Sequence, residues 1–247
     1  MLLAVRDVSK SFGVKVVDSL SLDVADGEAV GIVGPNGAGK TTLLNLIAGD
    51  LRPDSGSIEF DGIDITRRRV DQRCRAGIGR TSQIPRPFDG MTVFENVLTA
   101  AVYGSGTSPS TAEATDMAAD ALRRASLLGV ANVAAGTLPL LSRKRLELAR
   151  ALATQPRLLL LDEIAGGLTE GEVDELVGTI RTIHAEGITL VWIEHIVHAL
   201  VAVVGRIMAM NYGATIAEGD PHDVMASAAV QEIYLGVALE EAAAEAT

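Results

Sequence analysis

The stretch Gly34-Pro35-Asn36-Gly37-Ala38-Gly39-Lys40-Thr41-Thr42 meets the pattern Gly-x-x-x-x-Gly-Lys-[Ser/Thr] at every fixed position. Its surroundings match the requirement. Glu28 to Val33 reads as a buried strand before it, and Thr42 to Ala48 as a helix after it, ended by Gly49. Glycines let the loop backbone curl until successive N–H groups point at one centre, which suits a polyphosphate at a helix N-terminus. Lys40 has the reach for β- and γ-phosphates, and the Thr41 hydroxyl can ligate Mg²⁺. The loop residues from Gly34 to Thr42 therefore predict a nucleoside triphosphate site. No Lys follows an Asn, so a guanine-reading Asn-Lys-x-Asp motif is missing.

Composition narrows the partners. At 247 residues, with 48% hydrophobic and 21% charged residues, the chain is globular and long enough for one large domain with a subdomain. A net charge of −11 repels nucleic acid and anionic lipid, and Arg67-Arg68-Arg69 is too short to reverse that. The single cysteine, Cys74, has no internal disulfide partner and reads as a small buried hydrophobe. The N-terminus leads directly into the strand pattern Leu2 to Val8, so a cytosolic protein is expected. The most apolar region, Ile188 to Met210, carries Glu194, His195, His198 and Arg206 and is not expected to insert into a membrane.

Along the chain, short strands and tight turns come first: Leu20 to Val24, an Asp26-Gly27 turn, and Ser57 to Phe60 before an Asp61-Gly62 hairpin turn. A helical block from Pro87 to Ala153 follows. In it Thr92 and Glu95 make a capping box opening Val93 to Val102, and Ala112 to Leu128 forms an Ala-rich helix before Gly129. After Pro156 the α/β pattern returns: a strand Leu158–Leu161, a helix from the Thr169/Glu172 cap to Glu186, and a strand Ile188–Ile193. A helix from Ile196 and a strand pair turned at Tyr212-Gly213 complete it. The expected fold is α/β, a P-loop NTPase with a mostly parallel core sheet, an N-terminal antiparallel β subdomain and an inserted α-helical subdomain. No internal repeat is visible, and the Ala/Glu-rich segment 240–247 reads as a frayed tail.

Three strand ends carry chemistry. Leu158 to Leu161 delivers Asp162 and Glu163 at the C-terminal end of a buried strand, where ligands of parallel sheets sit. Asp162 is placed to hold Mg²⁺ and Glu163 to polarise the attacking water. Ile193-Glu194-His195 ends the next strand, and His195 can donate a hydrogen bond to developing charge. Gln83 closes Thr81-Ser82-Gln83 just before the helical block, with the chemistry to touch Mg²⁺ or water. Phe12 can stack on a base. His184, His198 and His222 are read as structural or solvated.

With these residues in order, the chain resembles the ATPase subunit of ABC transporters over nearly its whole length, residues 2 to 236. The resemblance rests on the Walker A loop Gly34–Thr42, the Q-loop glutamine Gln83, the Walker B strand Leu158–Asp162 with Glu163, and the H-loop His195. Phe12 falls at the family's adenine-stacking position. Within that superfamily it is most similar to the subunits of branched-chain amino acid importers, through Gly79–Gln83, Met91–Val97, Lys144–Arg150, Ile193–His195 and Tyr234-Leu235-Gly236.

The resemblance implies a cytosolic, peripheral energy-coupling ATPase. It would pair head-to-tail with a like subunit, identical or different, dock on integral membrane permease subunits and serve a solute-binding protein indirectly. Ile84, Pro85, Pro87, Phe88 and Met91 form the apolar, proline-stiffened stretch expected to meet the permease. Two departures stand out. Thr169 replaces the usual aspartate or asparagine of the D-loop. The Leu-Ser-Gly-Gly-Gln-like signature, counted back from Arg150 without a gap, reads Leu138-Pro139-Leu140-Leu141-Ser142; a gapped reading starting at Leu141-Ser142 loses both glycines as well. Ser142 is expected to cap the helix that follows. The altered signature also motivates an alternative, a nucleotide-binding regulatory subunit with weak turnover.

Overall fold

The computed structural model describes residues 1–232, so the Tyr234–Gly236 cue and the tail at 240–247 lie outside the described residues. In chain order the elements are β1 (Leu3–Phe12), β2 (Val14–Val24), β3 (Ala29–Val33), α1 (Lys40–Ala48), β4 (Ser55–Phe60), β5 (Ile63–Asp64), α2 (Val70–Arg75), β6 (Ile78–Arg80) and α3 (Val93–Gly104). Then come α4 (Thr111–Arg124), α5 (Leu140–Ala153), β7 (Leu158–Asp162), α6 (Glu170–Ala185), β8 (Thr189–Ile193), α7 (Val197–Val201), β9 (Arg206–Asn211), β10 (Ala214–Gly219) and α8 (Pro221–Ala226). Strands β2-β1-β4-β5 form an antiparallel sheet. The second sheet runs β10-β9-β3-β8-β7-β6, parallel except for the edge pair β9–β10. Helices α3 to α5 lie between β6 and β7 in the chain. Among the described residues no helix is long and apolar enough to cross a membrane.

The apolar runs of the central strands are continuous because both faces are buried. Side chains alternate across a strand, so Leu159 and Leu161 of β7 join one core with the helices, while Leu158 and Leu160 join another with α1 and the N-terminal sheet. Strand β8 divides in the same way, Leu190 and Trp192 against Val191 and Ile193. Each fully buried leucine adds roughly 1.5–3 kcal/mol, and a one-residue slip would exchange the two cores.

Three local expectations are corrected. Helix α4 does not reach Leu128 but stops at Arg124. Ser126 takes a left-handed φ of 58°, Leu127 N–H donates to Leu122 O at 2.8 Å, and Leu122 and Leu127 are both buried. That is a Schellman stop built on serine in place of glycine. The same helix opens on Ser110, whose box with Glu113 the sequence reading missed. Ser142 caps nothing: α5 starts at Leu140 with Pro139 at the N-cap, so Ser142 is the third helical residue. Proline fixes φ near the helical value, but its side chain cannot accept from the first N–H groups.

One buried arginine, unremarked in the sequence, holds the end of α1. Arg73 is fully buried, and its guanidinium donates to Leu46 O (2.6 Å), Ile47 O (2.8 Å), Thr66 O (3.0 Å) and Arg68 O (3.0 Å). The carbonyls at a helix C-terminus lack intrahelical partners, and a cation there is favoured by the helix dipole. Burial pulls the Arg73 pKa down to about 10, still well above neutral, so the group stays charged. We expect Arg73→Leu, which strands those carbonyls, to lower unfolding free energy by about 2–4 kcal/mol in urea titrations. A loss below about 0.5 kcal/mol would contradict this.

Candidate functional site

The parallel strands deliver their chemistry to one edge of the sheet. Strand β3 lies between β8 and β9, and β8 and β6 flank β7; Asp162 pairs with Ile193, as does Ile32. The P-loop after β3, Asp162-Glu163 after β7, Glu194-His195 after β8 and Thr81-Ser82-Gln83 after β6 therefore converge at the carboxyl ends.

The P-loop is a strand–turn–helix junction with three left-handed glycines, Gly34 (φ 151°), Gly37 (81°) and Gly39 (97°). Backbone packing also excludes a side chain at two of them: a Cβ on Gly34 would strike Met210 O, and one on Gly39 would strike Val16 O. Lys40 is 5% exposed, and its ammonium donates to the carbonyls of Gly34 (2.7 Å) and Pro35 (2.9 Å). Burial pulls its pKa down, with Glu163 and Asp162 acting the other way. Val16, Asn36 to Thr42 and Glu163 line one cleft. Phe12, at the end of β1 and half exposed, has the Lys10 ammonium 5.5 Å from its ring centre. Its ring is thus presented to solvent, which an aromatic packed in a core would not be.

Glu163 is the centre of the polar network. Its φ of 45° is left-handed, a conformation that costs a non-glycine residue about 1 kcal/mol or more and has to be held by its surroundings. Its N–H donates to Ile193 O at 2.9 Å. His195 Nε2 lies 2.8 Å from one carboxylate oxygen, and the Gln83 amide donates to the other. The structure thus places Gln83 on Glu163 rather than on the Asp162–Thr41 pair. Asp162 is 2% exposed and burial pushes its carboxyl pKa up, opposed by the adjacent Arg80. Arg80 donates to Asp162 Oδ2 at 3.0 Å, whereas Asp162 Oδ1 is buried with no hydrogen-bond partner. An orphaned carboxylate oxygen near Thr41 suits a hard divalent cation that takes its other ligands from water and phosphate. Among the described residues no group of three or more His, Cys, Asp or Glu is placed to hold a metal ion by itself.

Sequence reasoning missed the buried charges behind this network. Lys144 of α5 is 3% exposed and donates to Gln83 O at 2.6 Å, with Glu163 O at 3.4 Å. Glu147 accepts from Arg86 N at 3.1 Å, and Arg150 donates to Arg86 O at 2.9 Å. Glu194, 2% exposed, accepts from Ala165 N and His195 N, both at 3.0 Å. Helix α5 therefore grips the backbone that carries Gln83, and Glu194 fixes the two loops beside Glu163. Their spacing along α5, Lys144, Glu147 and Arg150, was the available signal: charges three apart on a helix face that is otherwise buried.

At the head of α5, Leu140 is 41% exposed and lies over Gly167, where an added Cβ would come within 3.3 Å of Leu140 Cδ2. Leu141 is turned inward at 9% exposure. The helix start at Leu140 agrees with the ungapped placement of the signature.

We expect Lys40→Ala to weaken binding of an ATP analogue by about 100-fold or more, since a charged partner is lost from a partly buried site. Calorimetric titration with an unaltered circular dichroism spectrum would show it. Wild-type affinity would remove the P-loop from nucleotide binding.

Residues 17–166 match the family described as ABC transporter, and residues 214–240 the one described as branched-chain amino acid ATP-binding cassette transporter. The chain is 36% identical over 251 residues to the high-affinity branched-chain amino acid transport ATP-binding protein BraF of Pseudomonas aeruginosa, covering 96% of this chain and 98% of BraF. Against LivG of Escherichia coli, which bears the same description, identity is 36% over 253 residues with the same coverage. The sulfate/thiosulfate import ATP-binding protein CysA 2 of Shewanella oneidensis is 38% identical over 91% of this chain and 63% of its own length, so identity alone does not fix the solute. A solved structure of the ADP conformation of an ATP-binding cassette from an ABC transporter aligns with a TM-score of 0.87 and 32% identity, over 95% of this chain and 98% of that one. With the P-loop, the Asp162-Glu163 strand end and His195 on one sheet edge, this chain belongs to the ATP-binding subunits of ABC transporters and is a transporter ATPase.

Proposed function

We propose that this chain energises uptake of branched-chain amino acids or related small solutes, as one ATPase subunit on the cytoplasmic face of a permease. The observation that carries the reading is the closed network Gln83–Glu163–His195 beside the P-loop. Lys40 binds the β- and γ-phosphates, and the backbone N–H groups from Asn36 to Thr42 complete the cradle. Phe12 stacks on adenine. Thr41 and the free Asp162 oxygen would hold Mg²⁺, which would supply charge neutralisation to the phosphates when bound, while Gln83 stays on the Glu163 carboxylate. Glu163 takes the proton of the attacking water as general base, and His195 keeps its carboxylate aimed at that water. Since this whole set is present, turnover is favoured over a purely regulatory role.

The solute class is supported by the match at residues 214–240 and by the branched-chain relatives. The permease contact is assigned to Ile84–Val97. Ile84, Phe88 and Met91 are 67%, 47% and 41% exposed, an apolar row that water disfavours. The row follows Gln83 directly and is anchored to α5 through Arg86 and the Arg150–Phe88 contact. A permease helix seated there would therefore act on the backbone of the catalytic glutamine.

The head of α5 sets the choice of ATPase partner. In the family this helix start faces the γ-phosphate of ATP on the second subunit. Here Pro139 and Leu140 put side chains where close backbone approach is needed, and Pro139 offers neither a hydroxyl nor an N–H. Two copies of this chain would make two poor composite sites. The reading is a heterodimer in which Lys40, Asp162, Glu163 and His195 face an intact signature on another subunit. We expect the purified single chain to hydrolyse ATP about 100-fold or more slowly than the pair, the scale of losing one preorganised set of oxyanion-type donors. Steady-state phosphate release, with and without a second ATPase subunit, measures this. Brisk hydrolysis by the single chain would show that the altered helix start still works.

A further inference from the structure

Arg80, the last residue of β6, falls within the stretch Gly79–Gln83 but carries no role of its own above, yet it touches three side chains around the site. Its Nη1 donates to Asn45 Oδ1 and to Asp50 Oδ2, both at 2.6 Å, and its Nη2 donates to Asp162 Oδ2 at 3.0 Å. Asn45 sits on α1, four residues after Thr41 and so one turn along the same face. Asp162 ends β7, which pairs with β6 in register Arg80↔Leu160. The guanidinium thus ties the P-loop helix to the Walker B strand at one turn's distance from Thr41. Its planar fork gives two directed arms, one for each element, which a single ammonium cannot reproduce.

The consequence concerns the two oxygens of Asp162. Arg80 takes Oδ2 and leaves Oδ1 buried without a partner, on the carboxylate assigned to the cation. Holding one oxygen fixes the rotation of the carboxyl group, and so fixes where the other points. The Asn45 arm fixes how far that oxygen stands from the Thr41 hydroxyl. Partners behind a metal ligand commonly change metal affinity by about 10- to 100-fold, because they set ligand direction.

We propose that Arg80 is a positioning residue for the divalent cation: it braces Asn45 of α1 against Asp162 and so sets the spacing and orientation of the two protein ligands, Thr41 and Asp162. The proposal rests on the assignment of those two residues as cation ligands. The salt bridge to Asp50 is a side contact, since Asp50 lies on the exposed side of the guanidinium with 47% of its side chain in solvent.

The test uses the full chain saturated with a non-hydrolysable ATP analogue, with Mn²⁺ as the probe and free Mn²⁺ followed by electron paramagnetic resonance. Affinity for the analogue in chelator is measured in parallel. Arg80→Met should weaken Mn²⁺ binding by about tenfold while analogue affinity in chelator changes less than twofold. Arg80→Lys keeps the charge but not the fork, and should fall between wild type and Arg80→Met. Asp50→Asn should leave Mn²⁺ binding near wild type. If Arg80→Met does not fold, Arg80→Lys decides: an Mn²⁺ affinity equal to wild type overturns the proposal. Unchanged or tighter Mn²⁺ binding in Arg80→Met overturns it too, the guanidinium then being a bystander or a repelling charge. Asp162→Asn separates this from the underlying assignment. If it leaves Mn²⁺ affinity intact, Asp162 is no ligand and both fall; if it weakens Mn²⁺ and Arg80→Met does not, only the brace falls.

Discussion

The site depends on a sheet whose parallel strands are buried on both faces and locked in register by two different cores. Because alternate residues of β3, β7, β8 and β9 belong to opposite cores, no strand can slide by one residue without exposing both sets. That rigidity is what brings loops from residues 34, 83, 163 and 195 to one edge, although they are far apart in the chain. The N-terminal antiparallel sheet contributes to the same edge from outside: Val16 and Val17 of β2 lie against Gly39 and Gly213, which leaves no room for side chains there.

On this scaffold the network around Glu163 is held by buried charges that grip backbone. Lys144 and Glu194 hold the backbone at Glu163 O and Ala165 N, beside a residue whose left-handed φ needs such support. Lys144, Glu147 and Arg150 also join α5 to residues 83–86. In the proposed dimer the head of α5 would face the partner's ATP, whereas Gln83 would serve this chain's own. On that proposal the helix would be a short mechanical link between two composite sites, which its apolar head would make unequal.

The contiguous motifs were legible because their chemistry lies within one strand–loop–helix unit. Lys40 and Thr41 follow the glycines directly, and Asp162 and Glu163 follow four leucines; periodicity alone places them at strand ends. Capping boxes at Thr92 and Thr169 were legible for the same local reason. Arg73, Arg80 and Glu194 were not, since each acts across 27 to 82 residues of chain and shows no local pattern, and Lys144 was signalled only by its spacing with Glu147 and Arg150 on α5. The two errors at helix ends are instructive. Gly129 was read as the stop of α4 because glycine favours left-handed φ, yet Ser126 adopts it when Leu127 gains burial. Ser142 was read as a cap by residue type, but Pro139 fixes the helix start three residues earlier.

The central claim is that hydrolysis at this site depends on the Glu163 carboxylate held between Gln83 and His195. The most direct measurement is turnover of Glu163→Gln in complex with a second ATPase subunit whose signature is intact, alongside nucleotide binding. The substitution keeps size and hydrogen bonding but removes the base. The account predicts normal ATP affinity, a fall in turnover at this site of about 10²- to 10⁴-fold, and accumulation of a closed ATP-bound dimer. Unchanged turnover at this site with ATP still bound would contradict it.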